Sequence, residues 1–191
     1  NHYGTLQMLE NQTVTAIMFT GMGYLELYGS TTSLTNGVSN DLGTNSTGYG
    51  NVTLNAGSTI VGTIGLTQES IHKLASNTQI GELNMVTGEV HADSIIHTGF
   101  GVMSFLSDVF TSIDPMSLAS GTIDFDGNMT GNIIFSADGL VDMAIDKALT
   151  GNTTTSIDGQ GTIALHSASN IIGSVGELGT SIKLLSSNSN S

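Results

Sequence analysis

The chain has 191 residues, 25 of them Gly, with one Pro, no Cys, no Trp and a formal charge of −13 at pH 7. Three lysines and no arginine cannot line a phosphate-binding groove, which excludes nucleic acid as a partner. The lack of Cys rules out a disulfide scaffold or a zinc–thiolate site, and there is no transmembrane segment, because no apolar run reaches the ~18 residues a spanning helix needs.

Gly, Ser, Thr and Asn make up close to half of the residues, whereas charged residues are only 10%. Solubility therefore rests on hydroxyls, amides and a one-signed charge, and the chain reads as a secreted product, extracellular or at a bacterial cell surface. Starting at Asn1 instead of Met, it reads as a processed product or an excised fragment. A hydrophobic fraction of 38%, held in short clusters, argues against disorder. One β-rich domain is expected over residues 1–185, and five Asn-x-Ser/Thr sequons offer N-glycosylation candidates at Asn11, Asn45, Asn51, Asn128 and Asn152.

From the N-terminus, a motif of Gly, any residue, apolar, any residue, apolar recurs at Gly4, Gly23, Gly50, Gly81, Gly121 and Gly161. Each copy reads as a turn glycine followed by a strand with alternate apolar residues. A second element follows three of the copies, as Gly62-Thr63-Ile64-Gly65, Gly131-Asn132-Ile133 and Gly173-Ser174-Val175-Gly176. Short strands of this kind expose one apolar face and become stable by stacking, so the predicted fold is mainly β, a β-solenoid or β-helix-like stack. A β-sandwich or jelly-roll fibre subunit is the alternative, since it needs the same short strands and Gly-rich turns.

Two segments break the alternation. Leu66 to Ser76 carries an N-cap at Thr67 with Ile71, Leu74 and Ala75 on one helical face, and Gly101 to Asp114 places Val102, Phe105, Leu106, Val109, Phe110 and Ile113 at helical spacing before Pro115. Both are predicted as short lateral helices. Residues 132 to 145 suggest a hairpin turning at Asp138-Gly139 in preference to a helix, and residues 186–191 read as a polar tail.

No convincing catalytic set is present, and no cofactor is called for. His91 and His97, six apart on a strand, would share one face, the geometry of a conceivable metal pair. Asp124, Asp126 and Asn128 have the oxygen chemistry of a calcium loop, but Gly127 falls at the fourth place, not the sixth, and Phe135 stands where a bidentate Glu is needed. A turn is the stronger reading of Asp126-Gly127-Asn128. Asp138, Asp142 and Asp146, four apart, would form an acidic stripe on a helix.

The segments GTIDFDGNMTGNI, QIGELNMVTGEVHADSI and GTIALHSASNIIGSVGELGTSIKLL resemble passenger repeats of rickettsial surface-antigen autotransporters. That resemblance implies a surface-exposed β-solenoid acting in adhesion or as a coat, and carries over no catalytic residue. The function expected is a non-enzymatic structural or adhesion protein whose partners are host or matrix surfaces or further copies of itself. One alternative is a subunit of an extracellular filament assembled by β-strand addition, for which Thr13, Val14, Ala16, Ile17, Met18 and Phe19 offer an exchangeable N-terminal strand within residues 1–19. A second alternative is a carbohydrate-active β-helix enzyme.

Overall fold

The computed structural model describes residues 4–9, 13–29, 33–34, 38–40 and 48–188. Every strand-to-strand ladder in it is parallel, and among the described residues there is no helix. Strands separated by about one turn of chain pair edge to edge: Leu83–Val86 with Val102–Phe105, that strand with Thr122–Phe125, and that in turn with Leu140–Met143. The result is a β-solenoid of about eight turns.

One sheet has nine strands, from Thr13–Val14 to Ile182–Asn188, and a facing sheet has twelve, from Gly4–Met8 to Asn170–Ile172. Their inward side chains form one core in continuous columns. In the nine-stranded sheet Val86, Phe105, Phe125, Met143 and Leu165 lie in register, and the rings of Phe105 and Phe125 stack with centroids 5.5 Å apart. Parallel sheets covered on their inner faces need such apolar columns, because no single turn can bury its own face.

The twelve-stranded sheet changes its layout half-way. Strand Val90–His97 pairs from Ala92 to His97 with Ile71–Asn77, but its other edge meets two short strands, Val109–Thr111 and Met116–Leu118. The long strand bends at Asp93-Ser94, and its parity inverts there. Val90 and Ala92 point into the core on one side of the bend, and Ile95 and His97 on the other.

Corner residues knit successive turns. Asp108 Oδ1 accepts from the N–H of Asn128 (2.8 Å), and Asn128 Oδ1 accepts from the N–H of Ala148 (3.0 Å). Asn132 and Asn152 repeat this at another corner, with Asn152 Oδ1 accepting from Ser174 N–H at 3.1 Å. These bonds satisfy backbone donors that a turn would otherwise leave unpaired.

The two predicted helices are not formed. In that first segment residues 66–70 form a tight corner, with Leu66 and Glu69 exchanging backbone bonds of 3.1 and 2.9 Å, and strand Ile71–Asn77 follows. Gly101 to Asp114 is two strands, Val102–Phe105 and Val109–Thr111, around a corner at residues 106–108. Two period-two strands offset by a three-residue corner imitate helical spacing over a short window, and pairing with neighbouring turns overrides it. The hairpin at Asp138-Gly139 is likewise corrected. Ile133–Phe135 and Leu140–Met143 belong to different sheets and never pair, so the turn is a corner of the solenoid.

Near the end of the chain, Ser186–Asn188 continues strand Ile182–Asn188, paired with Ala164–His166, so the polar tail does not begin at residue 186; residues 189–191 lie outside the described residues. At the other end, Thr13–Val14 pairs with Ser33–Leu34 and Ile17–Phe19 with Val38–Asn40. The proposed exchange strand is thus a working part of its own solenoid, with Phe19 only 8% exposed against Gly23 and Gly50. No helix of the described residues is long and apolar enough to cross a membrane.

Candidate functional site

The outward positions of the nine-stranded sheet form columns too. Ser104, Asp124, Asp142 and Ala164 are successive members of one of them. Two aspartates on adjacent parallel strands stand one strand spacing apart, roughly 4.8 Å at the backbone, an arrangement of like charges that opposes the fold. The corner after Thr122–Phe125 adds Asp126, and strand Gln160–His166 contributes His166. Asp124, Asp126, Asp142 and His166, with Ala144 and Ile145, line an open pocket of about 400 Å³.

His166 Nε2 lies 2.8 Å from Asp142 Oδ1, an ion pair when the ring is protonated. Ser104 Oγ donates to Asp124 Oδ2 at 3.3 Å. Burial pushes the Asp124 carboxyl above the ordinary aspartate range, and the charges of Asp126 and Asp142 push the same way, while the Ser104 bond opposes them. The pocket therefore holds one carboxyl that retains its proton to higher pH and a second carboxylate bonded to a histidine. Such a pair can move protons between groups on a bound polar molecule.

Asp124 and Asp126 of the suggested calcium loop reach this pocket, but Asn128 does not. Its Nδ2 donates to Asp108 Oδ1 at 3.1 Å and its Oδ1 accepts from Ala148 N–H, so both ends of the amide are committed to the stack. Among the described residues, no group of three or more His, Asp or Glu is arranged to hold a metal ion. His91 and His97 do not share a face either. The bend at Asp93-Ser94 separates them: the His91 ring stacks on Phe110 with centroids 4.6 Å apart, whereas His97 is fully buried in the core.

The sequons divide by environment. Asn51 is only 8% exposed and donates to the Gly23 carbonyl, and Asn128 is held in its corner ladder. Asn152 is exposed, and Asn11 and Asn45 lie outside the described residues. The stripe imagined for Asp138, Asp142 and Asp146 does not exist. Asp142 lines the pocket, Asp138 forms an ion pair with Lys183, and Asp146 sits in a corner at φ 60°.

Two polar clusters went unread in the sequence. Asp93 is 2% exposed and accepts from Ser70 Oγ (2.5 Å) and Ser112 Oγ (3.0 Å), one on the turn before and one on the turn after. The second cluster surrounds Asn84, which is completely buried. The alternation after Gly81 predicts Leu83 and Met85 inside, but the strand is turned by one residue. Asn84 and Val86 face the core and Leu83 is 46% exposed. Asn84 Oδ1 accepts from Ser58 N–H at 2.8 Å, and its Nδ2 donates to the Leu54 carbonyl (2.9 Å) and Ser76 Oγ (3.0 Å).

A scan against protein-family models and searches of curated proteins and of solved structures found no match to the chain.

Proposed function

We propose that the chain is a non-enzymatic structural or adhesion protein of the extracellular space or a bacterial cell surface. The observation that carries this reading is the use of its polar corners: Asp108, Asn128, Asn132, Asn152 and Asp158 are spent on holding one turn to the next. A stack bonded in this way turn by turn is suited to presenting a long, hydroxyl-rich surface, and the charge of −13 keeps it apart from acidic polymers. The similarity of its segments to autotransporter passenger repeats points the same way.

Under this reading the partners are host or matrix surfaces, or further copies of the chain. Binding to cells and immobilised matrix, measured alongside fractionation of the source cells, tests it. Surface-located protein that binds is the expected result, and a cytosolic protein that binds neither overturns it. Electron microscopy of native material separates single particles from filaments with a subunit repeat.

A second reading is favoured by the pocket alone. A carboxyl with a raised pKa beside a His-paired carboxylate on the outer face of a solenoid fits acid–base cleavage of a neutral glycan. Screening the chain against neutral glycans tests it. Turnover abolished in both Asp124→Asn and Asp142→Asn supports the enzyme reading, and no turnover on any of them removes it.

A further inference from the structure

The core column of the twelve-stranded sheet runs Leu54, Ser76, His97, Leu118 and Phe135, each in register with the next. Two polar residues thus interrupt an apolar column in the middle turns, and both are buried, Ser76 to 1% and His97 to 0% exposure. From the facing sheet, Asn84 stands inward in the column of Met103 and Ile123.

The hydrogen bonds through this group have a fixed direction. Both amide protons of Asn84 are used, one on the Leu54 carbonyl and one on Ser76 Oγ. The Ser76 hydroxyl is 3.1 Å from His97 Nδ1 and donates to it, and His97 Nε2 is 3.3 Å from the Gly101 carbonyl, which can only accept. The circuit is complete with a neutral ring protonated at Nε2. A second proton, at Nδ1, removes the acceptor of the Ser76 hydroxyl and puts a charge in the core.

We infer that His97 makes the middle of the solenoid acid-sensitive: below about pH 6.5, where an imidazole in water takes up its second proton, opening of the stack around strands Ile71–Asn77, Val90–His97 and Met116–Leu118 becomes progressively easier. No charged side chain among the described residues offsets the new charge. Strand Ile71–Asn77 presents Ser76 to the ring, while His72 lies beside Asp93 and Lys73 is half-buried in the sheet. Strand Met116–Leu118 presents Leu118, and strand Leu83–Val86 acts through Asn84. At the corner that follows Asn77, Glu82 accepts from the Gln79 N–H at an exposed position. Burial lowers the ring's affinity for the proton, opposed more weakly by the carbonyls of Gly101 and Ser76.

The sign follows from linkage. With the folded-state pKa below the unfolded value, the proton favours the open state, so stability is intact above about pH 6.5 and falls, by up to about tenfold in the closed-to-open ratio per pH unit, as pH drops toward the folded value. The described histidines outside the core have other surroundings: His72, His91 and His166 each face a carboxylate, of Asp93, Glu89 and Asp142.

Hydrogen exchange of the full chain at pH 7.5 and pH 5.0, corrected for intrinsic rates, tests this. The protection of the three named strands should fall by about tenfold or more while that of Thr122–Phe125 and Leu140–Met143 holds. His97→Gln, whose amide can donate to Gly101 and accept from Ser76 without titrating, should abolish the difference. Equal loss in that variant, or loss spread evenly over all strands, overturns the inference. Should His97→Gln fail to fold, an NMR titration of the wild-type imidazole decides. A ring that titrates below the ordinary imidazole value of about 6.5 supports the inference, and one that titrates at or above it overturns it.

Discussion

Gly151 rests directly on Gly131, so closely that a Cβ on Gly151 would stand 2.0 Å from the Gly131 carbonyl oxygen. Gly173 repeats the contact one turn later, 2.1 Å from the Gly151 carbonyl, and both residues hold a positive φ, 145° and 152°. This glycine stack sets the distance between turns at one corner. Gly151→Ala should lose about 2–4 kcal/mol of stability, from steric contact with backbone that cannot move aside plus an unfavourable φ. Urea unfolding checks it; a midpoint within error of wild type would show that the corner can relax.

Asp93 joins three consecutive turns through Ser70 and Ser112. Asp93→Ala leaves two hydroxyls without their acceptor at a buried bend, and about 2–3 kcal/mol of destabilisation is expected. Asp114→Ala, an exposed substitution next to the same bend, should change stability by under about 0.5 kcal/mol. Comparing the two by thermal unfolding separates loss of the buried acceptor from a general effect of removing negative charge.

The stacked pair Phe105–Phe125 lies at the centre of its column, each ring fully buried. Phe105→Ala should cost about 3–5 kcal/mol and Phe105→Leu less, because leucine fills much of the same space. Equal losses for the two variants would mean that ring stacking, not volume, holds the column.

Asp124→Asn has the opposite expected sign. The folded state raises the pKa of this carboxyl, so ionising it opposes folding and stability falls as pH rises from the unfolded aspartate value, near 3.8, through the folded one. The amide variant should therefore be more stable than wild type at neutral pH, by only a few tenths of a kcal/mol because solvent screens this half-buried group, with the advantage gone in acid below about pH 3.8. Matched denaturation curves at pH 7 and pH 3 read this out. An advantage that persists unchanged at pH 3 would assign it to packing instead of charge.

The motif of glycine and alternate apolar residues carried more of the fold than its six recognised copies suggest. Gly101-Val102-Met103-Ser104-Phe105 and Gly139-Leu140-Val141-Asp142-Met143 fit it as well, and they lead the strands on either side of Thr122–Phe125. Read together with Gly81, Gly121 and Gly161 they mark five consecutive turns of one sheet. They were hidden by the helical spacing of residues 102–113 and by the turn chemistry of Asp138-Gly139. The first three copies, at Gly4, Gly23 and Gly50, lead strands of the other sheet.

Short alternating strands, turn glycines and Asn-rich corners were sufficient to indicate a stacked β fold, because those signals lie within a few residues of one another. The pocket of Asp124, Asp142 and His166, the inversion at Asp93-Ser94 and the burial of Asn84 and His97 depend on which residues come to lie side by side roughly twenty positions apart. Alternation along a single strand does not say which of its two faces meets the core, and a shift of one residue exchanges them. Pairing with the turns before and after makes that choice, and with it decides which polar side chains are bonded inside and which are left together on the surface.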